Sequence, residues 1–201
     1  NYTLKNGASR LILSLFASIA LGVAFMNDGE LAAQTAVKYQ TPPAAIESLL
    51  TAPASPIVRV SPDRTMMTVE QPQALATIAD VAQPRYRLAG IRFNPATNGP
   101  SRELYSISLT LQSTSGGASR TVTGLPSAPK IVDLSWSPNG RHVAFVQKTT
   151  GSAAGLTLYI VDVATAHARQ LSPVRLNAVM AMPYQWMPDS SGLLCLTVPE
   201  R

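Results

Sequence analysis

The sequence predicts an all-β fold, an incomplete β-propeller preceded by a signal helix and a short helical arm, and three observations carry that prediction. From Ile57 onward, short β-branched and apolar runs alternate with clusters of Gly, Pro, Asn, Asp and Ser, the punctuation of strands and tight turns. Three of those turns are alike. Ser61-Pro62-Asp63-Arg64 precedes Met66 to Val69, Trp136-Ser137-Pro138-Asn139-Gly140 precedes His142 to Val146, and Trp186-Met187-Pro188-Asp189-Ser190 precedes Leu193 to Leu196. Their prolines stand 76 and then 50 residues apart, and a repeat of about 40 to 50 residues holding several strands is the period of propeller blades. Third, the run from Leu156 to Val163 is apolar on both faces, as a strand packed between two neighbouring sheets must be. A β-sandwich is the alternative for a strand-rich chain. The matched turns favour the propeller.

Residues 1–33 have the order of a secretory signal. Lys5 and Arg10 stand before an apolar run from Leu11 to Met26, followed by polar Asn27 to Glu30 and then Ala32-Ala33. The apolar run is shorter than the roughly 20 residues that span a bilayer as a helix, so cleavage after Ala24 or Ala33 is expected, with retention as a signal anchor the alternative. Export to the periplasm or the extracellular space follows from this reading, and the membrane is a partner only through this segment if it stays uncleaved.

Residues 34–56 form an arm. Thr41-Pro42-Pro43 followed by Ile46, Leu49 and Leu50 is a capped helix start with an i, i+3, i+4 apolar set, and Pro53 and Pro56 stop it. Residues 57–201 are the blades, three to four of them at about 45 residues each. Leu156 to Val163, a turn at Ala164 to His167, and Ala168 to Leu171 complete one blade with a hairpin. The first proline interval is longer than the second by about 26 residues, and the excess falls at residues 73–102 as an insertion with a short helix over Ala74 to Val81 and a Pro/Gly/Asn-rich loop.

Composition excludes several classes of function. One cysteine, Cys195, builds neither a disulfide framework within the chain nor a cysteine-based zinc cluster. Two histidines, His142 at a strand start and His167 in a turn, are expected to be structural, and no metal or cofactor site is expected. A net charge of +5, from 16 basic and 11 acidic residues, falls short of a nucleic-acid footprint. Cys195 is expected to be a small buried hydrophobe, Asp133 and Asp162 to cap turns or bond backbone amides, and Trp136 and Trp186, at matching places in two repeats, to pack between blades.

Beyond these patterns the chain resembles the prolyl oligopeptidase family of serine peptidases, in its glutamyl endopeptidase-like branch. The resemblance runs from about Tyr39 to Pro199. It is carried by Tyr39-Gln40-Thr41-Pro42-Pro43, by Ser61-Pro62-Asp63, by Arg87-Leu88-Ala89-Gly90-Ile91-Arg92 with Asn94-Pro95 and Ser101-Arg102, and by Ile131 to Val146 with Leu176 to Val179. The hairpin at Ala166-His167 lacks the usual glycine, and Met187 stands where serine is common. The resemblance implies an amino-terminal propeller of about seven blades covering a carboxy-terminal α/β-hydrolase domain with a Ser, Asp and His triad, acting on peptides. No Gly-x-Ser-x-Gly nucleophile elbow occurs in this sequence, so no catalytic residue is assigned to it. If the insertion faces such a hydrolase domain, Arg85, Arg87, Arg92 and Arg102, in the 20 residues from Gln83 to Arg102 that hold no acidic residue, are candidates to attract acidic peptides or to bind a substrate glutamate. A non-enzymatic periplasmic TolB-like propeller that binds a protein partner is the second functional expectation.

Overall fold

The computed structural model describes residues 40–199, so the expected signal segment, residues 1–33, lies outside the described residues. The chain divides into two units, residues 1–47 and 48–201. A short helix, α1 (Ala44–Leu50), begins in the first unit with the amides of Ile46 and Glu47 bonded to the Pro43 carbonyl at 2.8 and 3.0 Å. Among the described residues, all strands lie in the second unit.

Strands β1 (Ile57–Val60), β2 (Met66–Pro72), β6 (Ser106–Ser113) and β7 (Arg120–Thr121) form one antiparallel meander. A second is made by β8 (Ile131–Trp136), β9 (His142–Thr149), β10 (Gly155–Asp162) and β11 (His167–Gln170). Only the pair Ser106 and Ile131 joins the two as a ladder between β6 and β8. A hairpin of β12 (Tyr184–Trp186) and β13 (Leu193–Cys195) starts the same pattern a third time. The fold is all-β and propeller-like: among the described residues two four-stranded meanders, joined in one eight-stranded sheet, are followed by a two-stranded hairpin.

Each repeated turn joins the first and second strands of a blade with one bonding pattern. The amide of the leading residue bonds the carbonyl five positions on, Ser61 to Met66, Ser137 to His142 and Met187 to Gly192, at 2.8 to 3.0 Å. The fourth residue bonds back to the first and takes a left-handed φ: Arg64 at 59°, Gly140 at 69° and Ser190 at 62°. Asp63, Asn139 and Asp189 each accept the amide two residues on, the local bond that makes Asp and Asn turn formers. Ser61 and Ser137 add a second anchor, their Oγ atoms accepting the amides of Met66 and His142 at 3.0 and 2.9 Å. Met187 has no hydroxyl to offer, which is the physical cost of the third turn's departure from the pattern.

The second blade is buried on both faces because alternate residues of β9 point opposite ways. Val143 and Phe145 enter one core with Leu109, Leu111 and Val122 of the first blade. Ala144 and Val146 enter another with Leu156, Leu158, Leu176 and Tyr184. The expectation for Trp136 and Trp186 holds: each sits between blades and donates its indole N–H to the preceding blade's first strand, Trp136 to the Arg59 carbonyl and Trp186 to Ser135 Oγ, both at 3.1 Å. At the outer rim, the segment after β7 reaches β11, with Thr123 N bonded to Ala166 O at 2.9 Å and Ala168 N to Thr123 O at 2.8 Å. Ala166 itself, where glycine is usual, has a φ of 55°. Asp162 caps its hairpin turn through the Thr165 amide and hydroxyl, as expected, and His142 lies 3.8 Å from its carboxylate. His167 is the first residue of β11 rather than a turn residue.

The turn pattern predicts unequal costs. Ser137→Ala removes a fully buried hydroxyl that accepts the His142 amide and donates toward the His142 carbonyl and Asn139 Oδ1, and is expected to lower stability by roughly 1–3 kcal/mol, whereas Met187→Ala is expected to change it by less than about 0.5 kcal/mol. Urea midpoints of the intact protein check this, and equal losses at the two positions would sink the reading.

Candidate functional site

The insertion between β2 and β6 is a built structure. Its helix is a single turn, α2 (Ile78–Val81), shorter than the run from Ala74 that the sequence suggests, because Thr77 caps it. Thr77 and Asp80 form a reciprocal capping box, the Thr77 hydroxyl accepting the Asp80 amide and Asp80 accepting the Thr77 amide. Asp80 then does more than cap. Its carboxylate accepts Lys130 Nζ at 2.8 Å and the Tyr105 hydroxyl at 2.9 Å, and Lys130 lies 4.8 Å from the Tyr105 ring centre. Burial opposes ionisation of Asp80, but the bonds from Lys130, Thr77 and Tyr105 outweigh it and hold the carboxyl well below the usual range.

In place of a loop, residues 86–100 form a three-stranded antiparallel sheet of β3 (Tyr86–Leu88), β4 (Ile91–Asn94) and β5 (Gly99–Pro100). The β3–β4 hairpin closes on two residues, Ala89 at φ 46° and Gly90 at φ 86°, the left-handed pair that the twist of a two-residue hairpin demands. The far end of this sheet is pinned to the blades. Asn98 accepts the Ala178 amide at 2.8 Å, and Gly99 lies so close to Leu156 that a Cβ there would stand 2.9 Å from its methyl carbon.

The four arginines singled out in the sequence are brought together. Arg87 and Arg92 are direct cross-strand partners, and Arg85 lies two residues before Arg87, just ahead of the first residue of β3. Arg102, at a left-handed φ of 58°, joins them: its charge is the largest influence depressing the Arg85 pKa, ahead of burial and of Arg92 and Arg87. All four are exposed, and none makes an ion pair among the described residues. Arg102 borders a small apolar hollow with Asp80, Val81, Leu104 and Tyr105, but no described cleft is lined by Arg85, Arg87 or Arg92. The arginines therefore make a face, and a face attracts carboxylates without enclosing one.

A second group of charges, which the sequence reading missed, lines a cleft of about 380 Å³ between the first two blades. Arg59 pairs with Glu70 at 2.8 Å, and Ser106 donates to the other Glu70 oxygen at 3.3 Å. Beside them lie Glu103 and Asp133. Burial pushes the Glu103 carboxyl up to about 7; Lys148, 3.7 Å away, opposes this and the Asp133 charge adds to it. The Glu103 Oε2 atom has no hydrogen-bond partner. Asp133 departs from its expected capping role: it sits at an irregularity between Val132 and Ser135 with a left-handed φ of 50°, its carbonyl accepts the Tyr184 hydroxyl, and burial, opposed by Arg59, raises its own carboxyl pKa. No spacing rule connects positions 59, 70, 103 and 133, so only folding unites them. Cys195 is half-buried against the second core rather than buried, and burial raises its thiol pKa. Among the described residues no group of three or more His, Cys, Asp and Glu is arranged to hold a metal ion.

Two outcomes follow from this geometry. Ala89→Asn puts a residue that tolerates a left-handed φ into the hairpin and is expected to stabilise it by on the order of 0.5–1 kcal/mol, read as slower amide exchange at Leu88 and Ile91; faster exchange would count against the turn assignment. Glu103 binds its proton more tightly folded than unfolded, so its contribution is present below the ordinary glutamate pKa and is lost as pH rises through about 7. Replacement by Gln should therefore raise the urea midpoint relative to the parent at pH 8 and lose most of that advantage at pH 4.5; a pH-independent difference would refute the shifted titration.

No family model matches the chain. Two curated proteins, each named probable glutamyl endopeptidase, chloroplastic, are similar to it. The protein from Oryza sativa subsp. japonica is 31% identical over 171 residues, covering 80% of this chain and 18% of its own length. The protein from Arabidopsis thaliana is 31% identical over 192 residues, covering 91% of this chain and 20% of its own. The chain thus spans about a fifth of the length of the curated relatives it matches.

Proposed function

We infer from this relationship to the glutamyl endopeptidases, peptidases of the prolyl oligopeptidase type, that the chain is the propeller portion of an exported serine endopeptidase that cleaves after glutamate. The observation that carries the reading is the similarity itself, which covers 80% and 91% of this chain in two relatives of the same name. The blades carry no nucleophile elbow, so the chemistry belongs to a carboxy-terminal α/β-hydrolase domain of the same protein. That domain would supply acyl transfer by an activated serine, with a histidine base and an acidic orienting residue.

In this reading the propeller selects what reaches the serine. A ring of blades admits an extended peptide and excludes a folded domain. The arginine face of the insertion adds a charge preference, since Arg85, Arg87, Arg92 and Arg102 make an electropositive surface that concentrates acidic peptides and weakens with salt.

The intact protein is expected to be phosphonylated at one serine by a fluorophosphonate reagent, to cleave peptides on the carboxyl side of glutamate, and to lose that cleavage on modification. An intact protein with neither serine labelling nor cleavage would leave the binding-module reading instead.

A further inference from the structure

We propose that the free edge of β3 is a docking strand for an extended acidic peptide, one carrying a carboxylate at every second residue. The inference rests on the arginine face serving substrate and adds how that face reads it.

Four features of the insertion converge. First, β3 is an edge strand, pairing with β4 and with no other strand among the described residues. Second, the two-residue turn fixes the ladder. Leu88 and Ile91 close the hairpin as the hydrogen-bonded pair, so Arg87 and Arg92 form the next, non-hydrogen-bonded pair, and the amide and carbonyl of Arg87 point away from β4 toward the open edge. An incoming strand would find both backbone groups there.

Third, the side chains divide by face. Tyr86 and Phe93 pair across the hairpin on one side, their rings edge to face at 6.1 Å, and stiffen it. Arg87 and Arg92 fall on the other side, and Arg85 stands just ahead of β3, near enough for both of their charges to depress its pKa. Two residues of extended chain rise about 7 Å, the step between alternate side chains of an extended peptide, and Arg85 stands two residues ahead of Arg87, just before β3 begins. A peptide bonded to Arg87 and continuing past the start of β3 sets one side chain beside Arg87 and carries the next but one toward Arg85. Fourth, the arginines lack any internal anion. Non-hydrogen-bonded partners hold their side chains closest of all cross-strand pairs, and like charges there repel. The pair Arg87 and Arg92 stands in that position with no acidic partner among the described residues, and the depressed Arg85 pKa reports the same crowding. Carboxylates arriving on this face relieve the repulsion, and guanidinium groups take them with two parallel bonds.

The test is binding, so it does not depend on catalysis. Two fluorescein-labelled hexapeptides of one composition are compared, one alternating Ser and Glu and one with three Ser followed by three Glu, on the intact protein treated with a fluorophosphonate. The alternating peptide is expected to bind at least tenfold tighter, to weaken with added salt, and to lose at least tenfold on the double substitution Arg87→Ala and Arg92→Ala, with the urea midpoint unchanged. The variant Arg87→Lys should recover only part of the affinity, because an ammonium keeps the charge without the fork. Equal binding of the two isomers would overturn the strand-docking geometry. Undiminished binding by the double variant, or no binding, would overturn the site and leave the arginines as charges that keep an edge strand from aggregating. Failure of serine labelling together with intact alternating-peptide binding would separate loss of the peptidase reading from loss of this one.

Discussion

A sheet that is apolar on both faces must have a neighbour on each side, and that constraint organises the molecule. Strands β9 and β10 bury Val143, Phe145 and Val161 toward the first blade and Ala144, Val146, Leu156 and Leu158 toward the third hairpin. A single Phe145-sized truncation would cost roughly 3–5 kcal/mol, so neither core can be left open without large loss. The first blade, the tryptophans and the third hairpin are all placed by this requirement. The same logic leaves Val58 and Val60 of β1 and Leu194 of β13 exposed, Leu194 to 71% of its surface, at the two ends of the blade series. Exposed apolar strands of this kind are surfaces that a neighbouring element could cover.

Burial alone does not set register, because apolar faces can slide. Directional bonds do that here. Trp136 and Trp186 occupy the last position of a first strand and donate to the corresponding place one blade back, so each indole fixes one blade against its predecessor. The turns lock the same end. Gly140 lies against the Asp63 carboxylate, and the Asn139 amide donates to Ser190 Oγ at 3.0 Å, so the three turns sit side by side. Tyr184, through the Ala144 and Asp133 carbonyls, ties the third hairpin to the second blade from within.

Those turns were the legible part of the fold, since proline, an Asp or Asn, and a residue able to take a left-handed φ recur at fixed offsets and need no tertiary contact to be recognised. The blades followed from them. The insertion was legible only as an interruption. Its strands are two to four residues long, too short for alternation to register, and its two-residue turn carries Ala89 where asparagine would have announced it. The capping box at Thr77 and Asp80 was readable as a threonine three residues before an acid, yet the bonds that give Asp80 its second role come from Tyr105 and Lys130, 25 and 50 residues away. The arginines could be counted from the sequence, but which of them share a face depends on the pairing of Arg87 with Arg92. The Glu103 cleft had no local signature at all.

The two charged regions divide the work that one insertion has to do. Exposed guanidinium groups keep most of their hydration, and water and salt screen the repulsion among them, so they can remain unpaired until an anion arrives. Inside the cleft the terms reverse. Glu103 is taken from water with Lys148 3.7 Å away, and this ion pair offsets only part of the burial cost, so the carboxyl pKa rises to about 7. The insertion is fastened between these regimes by Asp80 at one end and Asn98 at the other, both bonded to the blades. A strand edge presented to solvent keeps a fixed direction only if its base is rigid, and the Asp80, Lys130 and Tyr105 cluster supplies that base. The arginine face thus depends on the fold at one remove: double-sided burial positions the blades, the blades present Lys130 and Tyr105, and these hold the insertion from which the arginines project.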